Sequence, residues 1–283
     1  MKRVLYLWIA AVIITGSAFV FQRYTGPTYP KKVSVQIDDT TTLGLTLPRS
    51  GNVNEEVRIE MPPISWDWSA RLYHRPYPTD TEWVLNPPFW PEGDKFVSYL
   101  PKVAQKAAKL EYYIEIENSF EGKTIILPTD EPVVIRYKGA VPAWALLPHI
   151  LLMSIALLLS SLTGLLGAVG KPSFRLWGVI TISTILLGGL VFGPIVQKFA
   201  FGEFWTGFPL GFDLTDNKTL IMFVVWAIAC IANLKKERRM VTVAASVITL
   251  AIYLIPHSLR GSEFSYETGE IVTGVISLIP SIF

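Results

Sequence analysis

The sequence predicts a membrane α-helical bundle carrying one all-β domain in water. Charge is segregated, several long runs carry no charge at all, and between the first and second of them the hydrophobic period switches to two. The chain has 283 residues, 51% hydrophobic and 17% charged, against the roughly 25% charge typical of soluble domains. Residues 31–138 hold 16 of the 23 acids and 13 of the 25 bases, whereas 139–283 hold only 7 acids and 9 bases. This distribution excludes a single soluble domain, a disordered chain and a disulfide scaffold. Net charge is +2, and no Lys/Arg run is placed for a duplex, so nucleic acid is not a partner. There is no P-loop and no dinucleotide-binding glycine pattern, so no nucleotide is expected either. Cys230 is the one cysteine, which leaves no intramolecular disulfide and no metal-type cysteine pair.

Residues 1–23 read as a signal anchor, or alternatively a signal peptide. Lys2 and Arg3 precede an uncharged stretch from Val4 to Phe21, 18 residues that span about 27 Å as a helix. The run continues past Gly16-Ser17-Ala18 through Phe19-Val20-Phe21, which favours an uncleaved anchor. Four further helices are expected at about 141–170, 176–196, 216–234 and 240–255, forming a bundle over 141–256. Ala156, Ser160, Gly164 and Ala168 recur every four residues and share a face suited to close helix contact, as do Gly189 and Gly193. With the N-terminus inside, the short inner connections hold 8 bases and the outer ones 3. This bias predicts a cytoplasmic N-terminus and an extracytoplasmic domain in a multi-pass cell (inner) membrane protein. The cluster Lys235-Lys236-Glu237-Arg238-Arg239 is its strongest vote and reads as a cytoplasmic stop, with a lipid-headgroup site as the alternative. Residues 257–283 read as an outer-face amphipathic tail, too short at its end to cross again, with Glu270, Thr273 and Ser277 on one helical face.

Within 30–140 the apolar residues alternate. Val33-Val35-Ile37, Leu43-Leu45-Leu47, Val57-Ile59-Met61, Trp66-Trp68-Ala70-Leu72 and Val133-Ile135-Tyr137 each do so, and Leu110, Tyr112, Ile114 and Ile116 interleave with Glu111, Tyr113, Glu115 and Glu117. Such patterning means strands with one dry and one wet face, and about seven short ones point to an antiparallel β-sandwich. The stretches Glu92-Gly93-Asp94-Lys95-Phe96-Val97-Ser98-Tyr99-Leu100-Pro101 and Lys109-Leu110-Glu111-Tyr112-Tyr113-Ile114-Glu115-Ile116 resemble late strands of extracellular immunoglobulin/fibronectin-III-like modules. In that family the second of these strands carries a tyrosine corner. The resemblance implies a binding or spacer module without catalytic residues. The connections Tyr73-His74-Arg75-Pro76-Tyr77-Pro78 and Asn86-Pro87-Pro88-Phe89-Trp90-Pro91 are either a contact surface for a partner or loops packed on the domain's edge, and His74 is read as structural.

Chemistry is expected at the outer end of the bundle. The segment 201–218 carries four Phe and one Trp among Gly and Pro, a pattern of irregular backbone tolerated near a bilayer only when buried in protein or lining a cavity. His149, His257, Glu203, Asp213, Asp216 and Glu263 all map to this side. Ionisable groups near a bilayer are functional-site candidates. They suit a divalent transition metal, or a b-type haem on the two histidines. The third reading is structural, with Asp216 capping its helix and Glu203 pairing with Lys218 or Arg260. The leading functional expectation is an accessory or interaction protein of the cell envelope whose domain contacts a protein outside the cytoplasm. The alternative is a membrane enzyme or redox subunit with an outer-leaflet metal or haem.

Overall fold

The computed structural model describes residues 2–38, 41–256 and 261–272. The chain divides into two compact units: one holds residues up to 27 and 141–262, the other 28–140 and 263–272.

The first unit is helical. α1 (Lys2–Thr25) is followed by α2 (Ala143–Ala168), α3 (Phe174–Ile185), a π-helical segment (Leu186–Phe192), α4 (Gly193–Phe201), α5 (Leu214–Ala232) and α6 (Arg239–Leu254). Val4–Thr25, Ala143–Ala168, Phe174–Phe201 and Leu214–Ala232 are long and apolar enough to cross a membrane, so the chain is a membrane protein. α6 is apolar but has 16 residues, about 24 Å, short of the roughly 30 Å hydrocarbon thickness. The third apolar run extends beyond its expected end at 196 and continues to Phe201. Pro194 falls at the join of the π-helical segment and α4, and the helix continues through it rather than stopping.

α2 is the hub, packing against α1, α3 and α6. Its small residues explain the last contact. Ala156, Ser160 and Gly164 are buried as the spacing predicts, whereas Ala168 is exposed and Gly167 makes the approach at that end. The Ser246 hydroxyl donates to the Ser160 carbonyl at 2.8 Å, and a Cβ on Gly164 would stand 2.5 Å from Ser246 Cβ. Trp226 is fully buried and donates its indole N–H to Thr249 Oγ1 at 3.0 Å, joining α5 to α6.

The second unit is β. Its strands are β1 (Lys31–Gln36), β2 (Thr42–Leu47), β3 (Ser50–Asn52), β4 (Val57–Met61), β5 (Trp68–Pro76), β6 (Val84–Leu85), β7 (Trp90–Glu92), β8 (Lys95–Leu100), β9 (Lys109–Asn118), β10 (Thr124–Leu127), β11 (Val133–Lys138), β12 (Glu263–Phe264) and β13 (Ile271–Val272). The largest sheet runs β3-β11-β9-β5-β6, with β10 also on β9; β4-β8-β7, β1-β2 and β12-β13 form smaller ones. Pairing is antiparallel except between β11 and β3. Core residues from β2, β4, β5, β8, β9, β10 and β11 form one apolar cluster. It includes Leu45, Ile59, Leu72, Leu100, Ile114, Leu127 and Ile135, so the alternation in each strand serves a common dry interior. Tyr112 is fully buried and satisfies its hydroxyl on the Pro48 carbonyl at 2.9 Å, as a buried phenol requires. Trp66 departs from the expected alternation: it lies in the turn before β5 and is 84% exposed.

The tail also differs from its expected form. Residues 263–272 are not an interfacial helix but a strand pair of the β unit, with Glu263 opposite Val272 and Phe264 opposite Ile271. Phe264 and Tyr266 pack on the β core, and the Tyr266 hydroxyl donates to the Lys109 carbonyl at 2.9 Å. Ser265-Tyr266-Glu267-Thr268-Gly269 forms the turn, with Gly269 at φ 72°. A left-handed turn glycine ends helical periodicity. The remainder of the expected tail, 273–283, lies outside the described residues.

Gly164→Ala should lower thermal stability in micelles by about 1–3 kcal/mol through overpacking. Ser246→Gly should restore much of it and Ser246→Ala should not, because Ala keeps the opposing Cβ. His74, on the core-facing side of β5, has its pKa lowered by burial. The folded state therefore binds fewer protons than the unfolded one, and its stability is fully present above about pH 6.5 and lost as pH falls below it. The acid-side slope of a denaturation series should shrink in His74→Phe.

Candidate functional site

The loop between α4 and α5 must satisfy its backbone amides without regular structure. It does so on two carboxylates. Asp213, 4% exposed, is the N-cap of α5. Its Oδ1 accepts from the Thr215 amide at 2.8 Å, and its Oδ2 accepts from the Ser262 amide at 2.8 Å and the Ser262 hydroxyl at 3.0 Å. Asp216, 5% exposed, turns back on the loop: its Oδ2 accepts from the Thr206 amide at 2.7 Å and the Thr206 hydroxyl at 3.2 Å. Gln197 of α4 donates to Thr206 Oγ1 at 2.7 Å, and Thr206 Oγ1 stands 2.9 Å from Ser262 Oγ. Asn217 accepts from the Phe208 amide at 2.7 Å. The close approach depends on Gly207, where a Cβ would lie 2.6 Å from Asp216 Cβ. Outside this polar knot the side chains are apolar and exposed: Phe204, Phe208, Leu210 and Phe212.

The same end of the bundle also finishes α6. Its last carbonyls have no partner within the helix. Gln22 of α1 donates to the carbonyls of Tyr253 and Ile255, and the Lys218 ammonium also donates to that of Ile255.

His149 sits on α2 one turn past Pro142–Ala145 and faces the π-helical segment. Its Nδ1 is 2.8 Å from the Gly188 carbonyl; since a carbonyl only accepts, Nδ1 carries the proton. The Gly193 amide donates to the same oxygen. Glycines let this wide turn approach α2: a Cβ on Gly188 would meet Leu152 Cβ at 2.7 Å, and one on Gly189 would meet Thr219 Cγ2 at 2.5 Å. π-helical turns are rare and often accompany functional positions.

The six expected ligands are thus only partly brought together. Asp213 and Asp216 meet through Thr206 and Ser262; Asp213 spends both oxygens, and Asp216 its Oδ2, on amides and hydroxyls. The helix starts earlier than expected, at Leu214, so Asp213 rather than Asp216 is the cap. Glu203 is exposed, and the expected Glu203–Lys218 pair does not form, because Lys218 reaches the Ile255 carbonyl instead. Glu263 belongs to the β unit, where it pairs with Lys109. His257 and Arg260 lie outside the described residues. Among the described residues no three His, Cys, Asp or Glu side chains form a group that could hold a metal. Thr206, Gln197 and Ser262, which complete the knot, carried no recognisable signal; Asp213-Leu214-Thr215-Asp216 before an apolar run did, as a helix-start pattern.

A second cluster lies on the outward side of β5 and β9. Tyr73-His74-Arg75-Pro76, expected as a connection forming either a contact surface or an edge loop, is instead the end of β5. Tyr73 and Tyr113 are cross-strand partners and stack with ring centroids 5.1 Å apart. Trp83 meets Tyr113 edge-on at 4.7 Å, and the Arg75 guanidinium lies 4.5 Å above Trp83. Arg75 pairs with Glu111 at 2.5 Å, and Arg71 bridges Glu115 and Glu117 at 3.2 and 3.0 Å. Val84 and Leu85 beside them are 50% and 56% exposed on a two-residue edge strand.

Compared with known proteins, the chain matches no family model and no curated sequence.

Asp213→Ala should cost about 2 kcal/mol or more, since it removes a cap and leaves buried donors unpaired. Asp213→Asn keeps an acceptor for α5 but turns an amide donor on Ser262, and should cost about 1–3 kcal/mol. Glu203→Ala should change the melting of the purified protein negligibly.

Proposed function

We propose that this chain is a non-catalytic accessory protein of the cell envelope, whose β unit holds a protein partner outside the cytoplasm. On this reading the β unit is an immunoglobulin/fibronectin-III-like module. In support are its antiparallel pairings, its single shared core and the buried Tyr112 bonded to a distant carbonyl. The N-terminus is cytoplasmic and residues 28–140 are extracytoplasmic, as the 8 to 3 distribution of bases in the short connections favours.

The observation that carries the proposal is the Tyr73–Tyr113–Trp83–Arg75 group. Aromatic rings and an arginine, held rigid by stacking and by the Arg75–Glu111 pair, are the composition of interface anchors. Their rotamers are already ordered, so a partner meets little further entropic cost. The edge strand β6 beside them adds unpaired backbone groups that a partner strand can use.

In intact cells, a photocrosslinking residue in place of Leu85 should give one defined adduct, lost on Trp83→Ala with Arg75→Glu. The same probe in place of Lys32 should give none. Equal adducts at both positions, or none at Leu85, would contradict the assignment. Topology has its own readout in a Cys230→Ser background. Asp80→Cys should react with a membrane-impermeant maleimide in intact cells, and Lys236→Cys only after lysis.

A further inference from the structure

At the end of the bundle opposite the Asp213–Asp216 knot, α3, α5 and α6 leave a cavity of about 170 Å³ between them. Phe174, Val179, Trp226 and Leu234 give it a mainly apolar lining, with Asn233 and Thr242 at its polar edge and Arg175 and Cys230 among them. At roughly 30 Å³ per water-sized volume, the cavity admits a short length of hydrocarbon but not a headgroup. Gly178 lies against Trp226 at its wall: a Cβ there would reach ordinary contact with the indole, at 3.5 Å.

The rim is cationic. The α2–α3 and α5–α6 connections bring Lys171, Arg175, Lys235, Lys236, Arg238 and Arg239 to this one end, against a single acid, Glu237. The α5–α6 turn that carries four of them is built rigidly. Asn233, buried, donates to the Ala229 carbonyl at 2.7 Å and to Thr242 Oγ1 at 3.1 Å, and accepts from the Arg238 amide at 2.6 Å. Arg175 is left poorly served. Its Nε is buried and without a hydrogen bond among the described residues, and Glu237 Oε1 is 3.9 Å away, beyond hydrogen-bond reach. The side chain as a whole is 39% exposed, so the rest of the guanidinium stays open to a ligand; a buried N–H without an acceptor is costly, and a planar fork of donors suits a phosphate.

We propose that this pocket is a binding site for one anionic phospholipid, with its phosphate on Arg175 and the upper part of an acyl chain in the cavity beside Trp226. The chemistry on both sides of the site requires this occupant. A soluble phosphate would leave the apolar cavity unfilled, and a zwitterionic lipid would bring its own cation to a rim that already holds six. Basic pockets between membrane helices recognise anionic headgroups in this manner.

The test uses the full-length protein in neutral detergent, titrated with palmitoyl-oleoyl phosphatidylglycerol or phosphatidylcholine and read by native mass spectrometry. Phosphatidylglycerol adducts should persist at activation energies that strip phosphatidylcholine. Arg175→Gln should reduce the ratio of the two adducts about five-fold, the effect of one charge near a lipid surface. Glu237→Gln, which removes the competing acid, should raise it. Phosphatidylglycerol should also slow alkylation of Cys230 by a hydrophobic maleimide, and phosphatidylcholine should not. An unchanged ratio in both variants would overturn the proposal, as would protection of Cys230 by glycerol 3-phosphate as strong as that by the lipid. The opposite signs expected of the two variants keep the test decisive even if Arg175→Gln folds poorly.

Discussion

An amide near a bilayer must find an acceptor in the protein, and that requirement shapes the helical unit at its most irregular point. The connection from α4 to α5 has no helix or strand to take up its N–H groups. Asp213 and Asp216 take them up instead: one caps α5 and holds Ser262, the other draws Thr206 inward. With the polar backbone turned in, Phe204, Phe208, Leu210 and Phe212 are free to face outward, where apolar surroundings favour them. The acids are therefore ligands of the protein's own backbone. Asp213 accepts charge-assisted bonds on both oxygens and Asp216 on its Oδ2, among the stronger bonds available to a buried carboxylate.

The two units offer different chemistry. The helical unit holds itself together by close approach of small residues, Gly164 on Ser246 and Gly188 on Leu152, and by side chains that finish exposed carbonyls, as Gln22 and Lys218 do for α6. The β unit buries its apolar alternation in one core and keeps on its wet face an ordered set of rings and ion pairs. Ser262 and Glu263 are consecutive residues, yet one is bound to Asp213 in the helical unit and the other to Lys109 in the β unit.

Much of this was legible in the sequence because it is written in periods. Strands β2, β4, β5, β9 and β11 follow the alternation of Leu43-Leu45-Leu47 and its counterparts, and the helices follow the uncharged runs to within a few residues. The four-residue spacing of Ala156, Ser160 and Gly164 correctly marked a contact face. What was not legible depends on partners distant in sequence. Nothing local tells that Thr206 and Ser262 will meet the acids at 213 and 216, or that Lys218 will reach Ile255 rather than Glu203. The stretch 263–272, expected only as part of an amphipathic tail, has too few apolar residues to show a strand period. Only the turn at Gly269 and the core offered by β9 and its neighbours decide for strands. Short edge strands such as β6 and β7 carry too few residues to show a period.

Amide hydrogen exchange of the purified protein in micelles reads the acceptors of this loop backbone one amide at a time. If Asp213 and Asp216 serve as acceptors for the loop backbone, the amides of Thr206, Thr215 and Ser262 exchange as slowly as those inside α5, although none of them lies in a helix interior or a sheet. Exchange of these three at the rate of an exposed loop would mean that the carboxylates are held for something else, and the account of this end of the bundle would be wrong.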